Sequence, residues 1–239
     1  MAKVIFEKNR KFRLEEKVLN LEGRNYMRAE KYLNKTPRKL KYIGNKYFNE
    51  KKYKLGLKCI RIVIGMENGR NMQNLYWMGF LLTMVKPAKI DLAVKYFQKA
   101  ANGGYKDAYY PLGAFYTELG EYKLAEFYLK RAEENKDNSS LKGLGDLYTI
   151  LGNYELASYY YDKGIEIFKD TNIGDTIMCN LGNMYQEQKK YKEAEYYYRN
   201  ILDRRKHRRV SYKLGTMYEE MGDCELAEKY YKEANHKKY

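Results

Sequence analysis

The chain repeats one arrangement of apolar, small and aromatic positions along most of its length. Leu112-Gly113-Ala114-Phe115-Tyr116 returns as Leu144-Gly145-Asp146-Leu147-Tyr148, as Leu181-Gly182-Asn183-Met184-Tyr185 and as Leu214-Gly215-Thr216-Met217-Tyr218. Two weaker copies precede these: Ile43-Gly44-Asn45-Lys46-Tyr47, and Met78-Gly79 with Leu82 in the tyrosine's place. The glycines at 44, 79, 113, 145, 182 and 215 are 35, 34, 32, 37 and 33 residues apart, a period that marks stacked supersecondary units. Twelve residues after the glycine come Ala125, Ala157, Ala194 and Ala227, each followed three residues later by Tyr128, Tyr160, Tyr197 or Tyr230. Between the halves lie the turns ELGEY, ILGNY, EQKKY and EMGDC, where Gly120, Gly152 and Gly222 can end a helix in the left-handed conformation. Each unit therefore reads as two helices of roughly 12 to 14 residues joined by about three.

The spacing has a physical content. Leucine and tyrosine, four apart, share one face of the first helix. A glycine inside a helix costs about 1 kcal/mol, so its return in every unit predicts a close approach by a neighbouring helix. In the second helix the alanine marks the crossing point, and the aromatics are expected to fill the gap to the next unit. One hairpin cannot bury its apolar stripe alone, so stability must come from stacking. Only Pro37, Pro87 and Pro111 interrupt the chain, and β-branched residues are sparse, so the fold class is all-α.

The pattern L-G-x-x-Y, turn, Ala, aromatic resembles the tetratricopeptide repeat over residues 36 to 239. The stretch from Asp91 to Tyr116, with paired alanines and a glycine before the next helix, resembles the related Sel-like repeat. The resemblance implies a right-handed α-solenoid of about six helix-turn-helix repeats, in which first helices line a concave groove that receives a peptide or a partner helix. The second copy carries two extra residues around Lys86-Pro87-Ala88, so its alanine is Ala93, and the first copy has Gly56 at the alanine position. Both units are expected to pack irregularly. Residues 1 to 35 fit less well; Tyr26, Ala29 and Tyr32 echo a second helix and suggest a degenerate N-terminal cap. One continuous domain without a linker is expected, closed by the polar tail NHKKY. The region Lys169 to Thr176 lengthens one connection and reads as a surface loop.

Charge adds a second feature. Of the formal net charge of +15, residues 1 to 60 contribute 18 Lys and Arg against 6 Asp and Glu, a net of +12. This quarter suits an anionic counterpart: an acidic protein, nucleic acid or a membrane surface. Cys59, Cys179 and Cys224 form an odd set without a CxxC pair and read as reduced thiols in a core, which favours the cytoplasm. The opening MAKVIFEKNRKF has no apolar core of signal-peptide length, and LYWMGFLLTMV at 75 to 85 is too short to span a bilayer, so no membrane partner is expected.

Catalytic patterns are not found. There is no phosphate-cradling loop, HExxH, nucleophile elbow or metal-spaced Cys/His cluster, and His207 and His236 lack a sequence partner for acid/base work. The expectation is a binding protein with no enzymatic role, no metal and no cofactor. In the resembled family, one variant clamps a partner's terminal carboxylate through groove positions fixed relative to the glycines. Carried onto the last three repeats, these positions are Lys142, then Asp146 where an Asn is wanted, then Asn180, Arg209 and Lys213. Lys41 and Asn45 match in the first repeat, but Trp77, Asp107 and Pro111 break the rest of that set. Two cations and an amide around a carboxylate form charge-assisted hydrogen bonds, the strong class. The basic run Arg204 to Arg209 reads either as an anion-gripping patch or as a solvated turn, and Tyr109, Tyr110, Tyr159 and Tyr212 as core aromatics or groove lining. The leading expectation is a scaffold that holds a protein or peptide partner, acidic by charge, in the groove. The alternative is nucleic-acid binding through the N-terminal quarter, with Arg38, Lys41, Tyr42, Lys46 and Tyr47 interleaved. Self-association through the end repeats is a third.

Overall fold

A computed structural model describes residues 37–204 and 207–235. The expected N-terminal cap, His236 with the closing tail, and Arg205 and Lys206 of the basic run lie outside the described residues. Among the described residues there are twelve α-helices and no strand. They are α1 (Pro37–Asn49), α2 (Tyr53–Met66), α3 (Met72–Met84), α4 (Ile90–Asn102), α5 (Tyr109–Glu118), α6 (Tyr122–Glu134), α7 (Ser139–Ile150), α8 (Tyr154–Ile167), α9 (Asn172–Glu187), α10 (Tyr191–Arg204), α11 (Arg208–Glu220) and α12 (Cys224–Asn235). A 3-10 turn at Lys106–Ala108 precedes α5. The helices fall into two compact units, residues 1–115 and 116–239, with the boundary inside α5. Within each unit, helices adjacent in sequence pack against one another, a helical-repeat solenoid.

The turns form as their residues dictate. Gly120, Gly152 and Gly222 take φ of +76°, +71° and +82°. At the same register Lys51 and Lys189 adopt φ of +57° and +59°, so these hairpins bend without glycine. The alanines Ala125, Ala157 and Ala194 are fully buried at the helix crossing.

The motif glycine admits something other than a helix backbone. A Cβ on Gly145 would lie 2.4 Å from the ring of Tyr161, one on Gly182 2.6 Å from Tyr198, and one on Gly215 2.6 Å from Tyr231. Each aromatic stands sixteen residues after its glycine and fills the notch with its ring. The motif tyrosines of the two helices pair inside the hairpin. Tyr116 stacks on Tyr128, Tyr148 on Tyr160, Tyr185 on Tyr197 and Tyr218 on Tyr230, with centroids 5.6 to 5.7 Å apart and ring planes within 12° of parallel. Such pairs add about 0.5–1.5 kcal/mol beyond the area they bury. The first-helix tyrosine then reaches the preceding hairpin through its hydroxyl: Tyr148 donates to Glu126 at 2.8 Å and Tyr218 to Glu195 at 2.6 Å.

Two further expectations change. Of the residues read as a surface loop at 169 to 176, those from Asn172 onward are helix, because the Thr171 hydroxyl accepts from the Gly174 N–H at 3.1 Å and starts α9 at Asn172. Asp175, in that first turn, is 4% exposed and faces Arg204, whose guanidinium also reaches Asp170, both at 2.9 Å. Arg204 of the basic run is thereby a tie between α10 and the start of α9. Cys59 is buried, but Cys224 is exposed, since it opens α12 at the outward position that Tyr122 and Tyr154 occupy in other hairpins.

Candidate functional site

In the second unit the first helices α7, α9 and α11 carry the positions of interest. Lys142 and Asp146 lie one turn apart on α7, and the Lys142 Nζ sits 2.5 Å from Asp146 Oδ2. Asn180, on α9, donates through Nδ2 to Asp146 Oδ1 at 2.8 Å. The Tyr161 hydroxyl, threaded past Gly145 from α8, donates to the same oxygen at 2.7 Å. Thus an ammonium, an amide and a phenol converge on a carboxylate that the chain itself supplies. Burial and then the Asp146 charge push the Tyr161 phenol well above its ordinary value, which keeps it a donor.

The next repeat uses the same construction with a neutral residue. Tyr198 passes Gly182 and places its hydroxyl 2.8 Å from Asn183 Oδ1 and 3.1 Å from Gln186 Oε1. Gln186 in turn donates to Glu220 of α11 at 2.9 Å. Cys179 of α9 is the thiol on which the charges of Lys213 and Arg209 act. Burial raises that thiol's pKa, and the two cations pull it partly back by favouring the thiolate. Of the five positions the sequence pointed to, the structure brings Lys142, Asp146 and Asn180 into one cluster, and it does not join Arg209 and Lys213 to that cluster by any hydrogen bond or ion pair among the described residues. Tyr161, Tyr198 and Cys179 were not anticipated. Tyr212 is exposed on α11 with its ring 5.2 Å from Tyr231, whereas Tyr159 is exposed on the second helix α8 and Tyr109 is buried.

The first unit holds a related cluster. Lys41 of α1 pairs with Glu67 at 3.1 Å, and the Asn74 amide of α3 also donates to Glu67. Again a lysine three residues before a motif glycine meets an internal carboxylate and an asparagine. Beside it lies a cavity of about 130 Å³, walled by Leu40, Phe48, Ile60, Trp77 and Leu81, with Asn45 and Lys41 at its lining. Trp77, which breaks the clamp pattern in the sequence, belongs to a continuous set of rings with Phe48, Phe80 and Tyr76 at 5.6 to 6.1 Å.

Among the described residues, no group of His, Cys, Asp and Glu is arranged to hold a metal ion, and no helix is long and apolar enough to cross a membrane.

No curated protein matches the chain. Among solved structures, the PilF protein of Pseudomonas aeruginosa is 13% identical, covers 81% of this chain and 88% of its own, and superposes with a TM-score of 0.66. PilW, described as a widely conserved type IV pilus biogenesis factor, is 13% identical over 81% of this chain and 90% of its own, with a TM-score of 0.72. A tetratricopeptide repeat protein of Parabacteroides merdae is 16% identical over 100% of this chain and 91% of its own, with a TM-score of 0.68. At such identities the likeness establishes the fold. Family profiles described as tetratricopeptide repeat match residues 106–138, 137–207 and 175–234, a continuous run over more than half of the sequence. With six registered hairpins and these matches, the chain belongs to the tetratricopeptide repeat family.

Proposed function

We propose that the chain is a non-enzymatic scaffold that receives a peptide or protein partner, acidic in character, on the face formed by its first helices. The observation that carries this reading is the division of labour within each hairpin. The glycine, alanine and tyrosine framework is committed to packing. The first-helix positions beside it gather polar and charged groups from successive repeats: Lys142, Asn180, Arg209 and Lys213 in the second unit, Lys41 and Asn45 in the first. The excess of cations near the N-terminus selects an acidic guest. Reduced thiols favour a cytoplasmic setting.

Asp146 sets the terms of binding. A guest carboxylate can use Lys142 and Asn180 only by displacing it. Asp146→Asn is therefore expected to raise affinity for a fluorescent acidic peptide by about tenfold, the size of one charge-assisted contact. Lys142→Ala in the same background should return it. If acidic peptides and proteins do not bind while RNA binds with a steep salt dependence, the scaffold reading fails and nucleic-acid binding replaces it.

A further inference from the structure

The regular repeats define a space that the first hairpin leaves open. In α7/α8, α9/α10 and α11/α12 the residue sixteen after the glycine is a tyrosine, and its ring fills the notch that the glycine leaves. In α1/α2 that register falls on Ile60, and the alanine register falls on Gly56. No ring lies over Gly44: the nearest atom to a Cβ there would be the Cys59 Cβ at 3.4 Å, then the Gly56 carbonyl at 4.0 Å. The cavity of about 130 Å³ is lined by the motif glycine Gly44 and by Ile60 and Gly56, the two positions where the framework ring and the alanine methyl are missing. Its size is close to the ~150 Å³ cavity that binds benzene in an engineered core. Phe48 and Trp77 give it aromatic walls.

The polar end of the space matches as well. In α7/α8 and α9/α10 the tyrosine hydroxyl bonds the residue after the glycine, Asp146 or Asn183. The residue after Gly44 is Asn45, which lines the cavity and is itself exposed. The surroundings are strongly positive: residues 37 to 115 hold 15 Lys and Arg against 4 Asp and Glu, a net of +11. We infer that this pocket receives, from a partner, the tyrosine ring that the first hairpin lacks, presented on an acidic segment, with Asn45 bonding the phenol. The inference rests on the scaffold reading and names the chemistry of its guest in the first unit.

The test uses the full chain and fluorescein-labelled nonapeptides of Glu, Asp and Gly with one central Tyr, Phe or Ala, measured by anisotropy. The Tyr peptide is expected to bind at least about tenfold more tightly than the Ala peptide, from burial of one ring. The Phe peptide should fall between them. Ile60→Tyr restores the ring in cis and should abolish the preference for Tyr over Ala. Asn45→Trp, made at an exposed helical position and checked by circular dichroism, should do the same should Ile60→Tyr fail to fold. Asn45→Ala should equalise Tyr and Phe while leaving both above Ala. Equal binding of all three peptides, or a ring preference that survives both Ile60→Tyr and Asn45→Trp, overturns the pocket and leaves the scaffold reading standing. Absence of binding by every acidic peptide overturns both.

Discussion

The two units meet the same packing demand with different side chains. In the second unit each motif glycine holds a tyrosine ring, and the hydroxyl at the end of that ring fixes a carboxylate or an amide on the first-helix face. In the first unit Gly79 holds the ring of Phe97, with nothing polar at its tip, and Gly44 holds no ring at all. The second unit is close to neutral over residues 116 to 239, with 21 Lys and Arg against 22 Asp and Glu, while the whole net positive charge lies in residues 1 to 115, with 25 Lys and Arg against 9 Asp and Glu. The repeat framework and the face it presents are one device. A tyrosine through the notch organises polar residues above it, and in the first hairpin, where Ile60 stands in its place, a cavity lies beside Gly44.

The largest expected effect tests a tie special to the second unit. Arg204→Leu leaves the carboxylate of Asp175, at 4% exposure, without its guanidinium, and should cost about 3 kcal/mol in urea unfolding. A loss below about 1 kcal/mol, the range of exposed pairs, would return Arg204 to the solvated-turn reading. Next, the glycines should respond with opposite signs. Gly145→Ala forces a methyl against the ring of the buried Tyr161 and should destabilise by about 2 kcal/mol, as overpacking does. Gly44→Ala makes only ordinary contact and should stabilise by about 0.5–1 kcal/mol through helix propensity. Equal effects would erase the distinction between the units.

Smaller changes sharpen the picture. Tyr198→Phe keeps the ring in the notch of Gly182 but removes the hydroxyl beside Asn183 and Gln186, and about 1 kcal/mol should be lost. At the turn, Lys189→Gly relieves a left-handed lysine and should gain about 0.5–1 kcal/mol, whereas a gain of zero would mean the lysine sits there without strain.

The repeat, its helices and its family were legible because Leu, Gly, Ala and Tyr return at fixed spacing. The ring that fills the glycine notch was not. It stands inside runs such as Tyr159-Tyr160-Tyr161 and Tyr196-Tyr197-Tyr198, where one ring is exposed, one stacks within the hairpin and one enters the notch. Helical geometry separates them by 100° per residue, yet composition alone makes them equivalent. The sixteen-residue offset from the glycine was the available signal. The pairing of Lys142 with Asp146 was also readable, since the two stand four apart on one helix. Irregular packing of the first hairpin was legible from Gly56 at the alanine position, but the cavity was not, because the absence of a ring at Ile60 carries meaning only once the ring's register is known. The KDTNIGDT segment was read as a loop because its length exceeded the period, while the Thr171 cap converts the surplus into helix.

The central claim is that the hairpins bury their aromatics in order to present the first-helix face to a protein partner. Site-specific photo-cross-linking measures this directly, with p-benzoylphenylalanine placed at Asn183 or Thr216 on first helices and at Phe127 or Tyr196 on the exposed side of second helices. The account predicts protein adducts from Asn183 and Thr216 that an acidic competitor peptide suppresses, with none from Phe127 or Tyr196. Adducts confined to Phe127 and Tyr196 would contradict it.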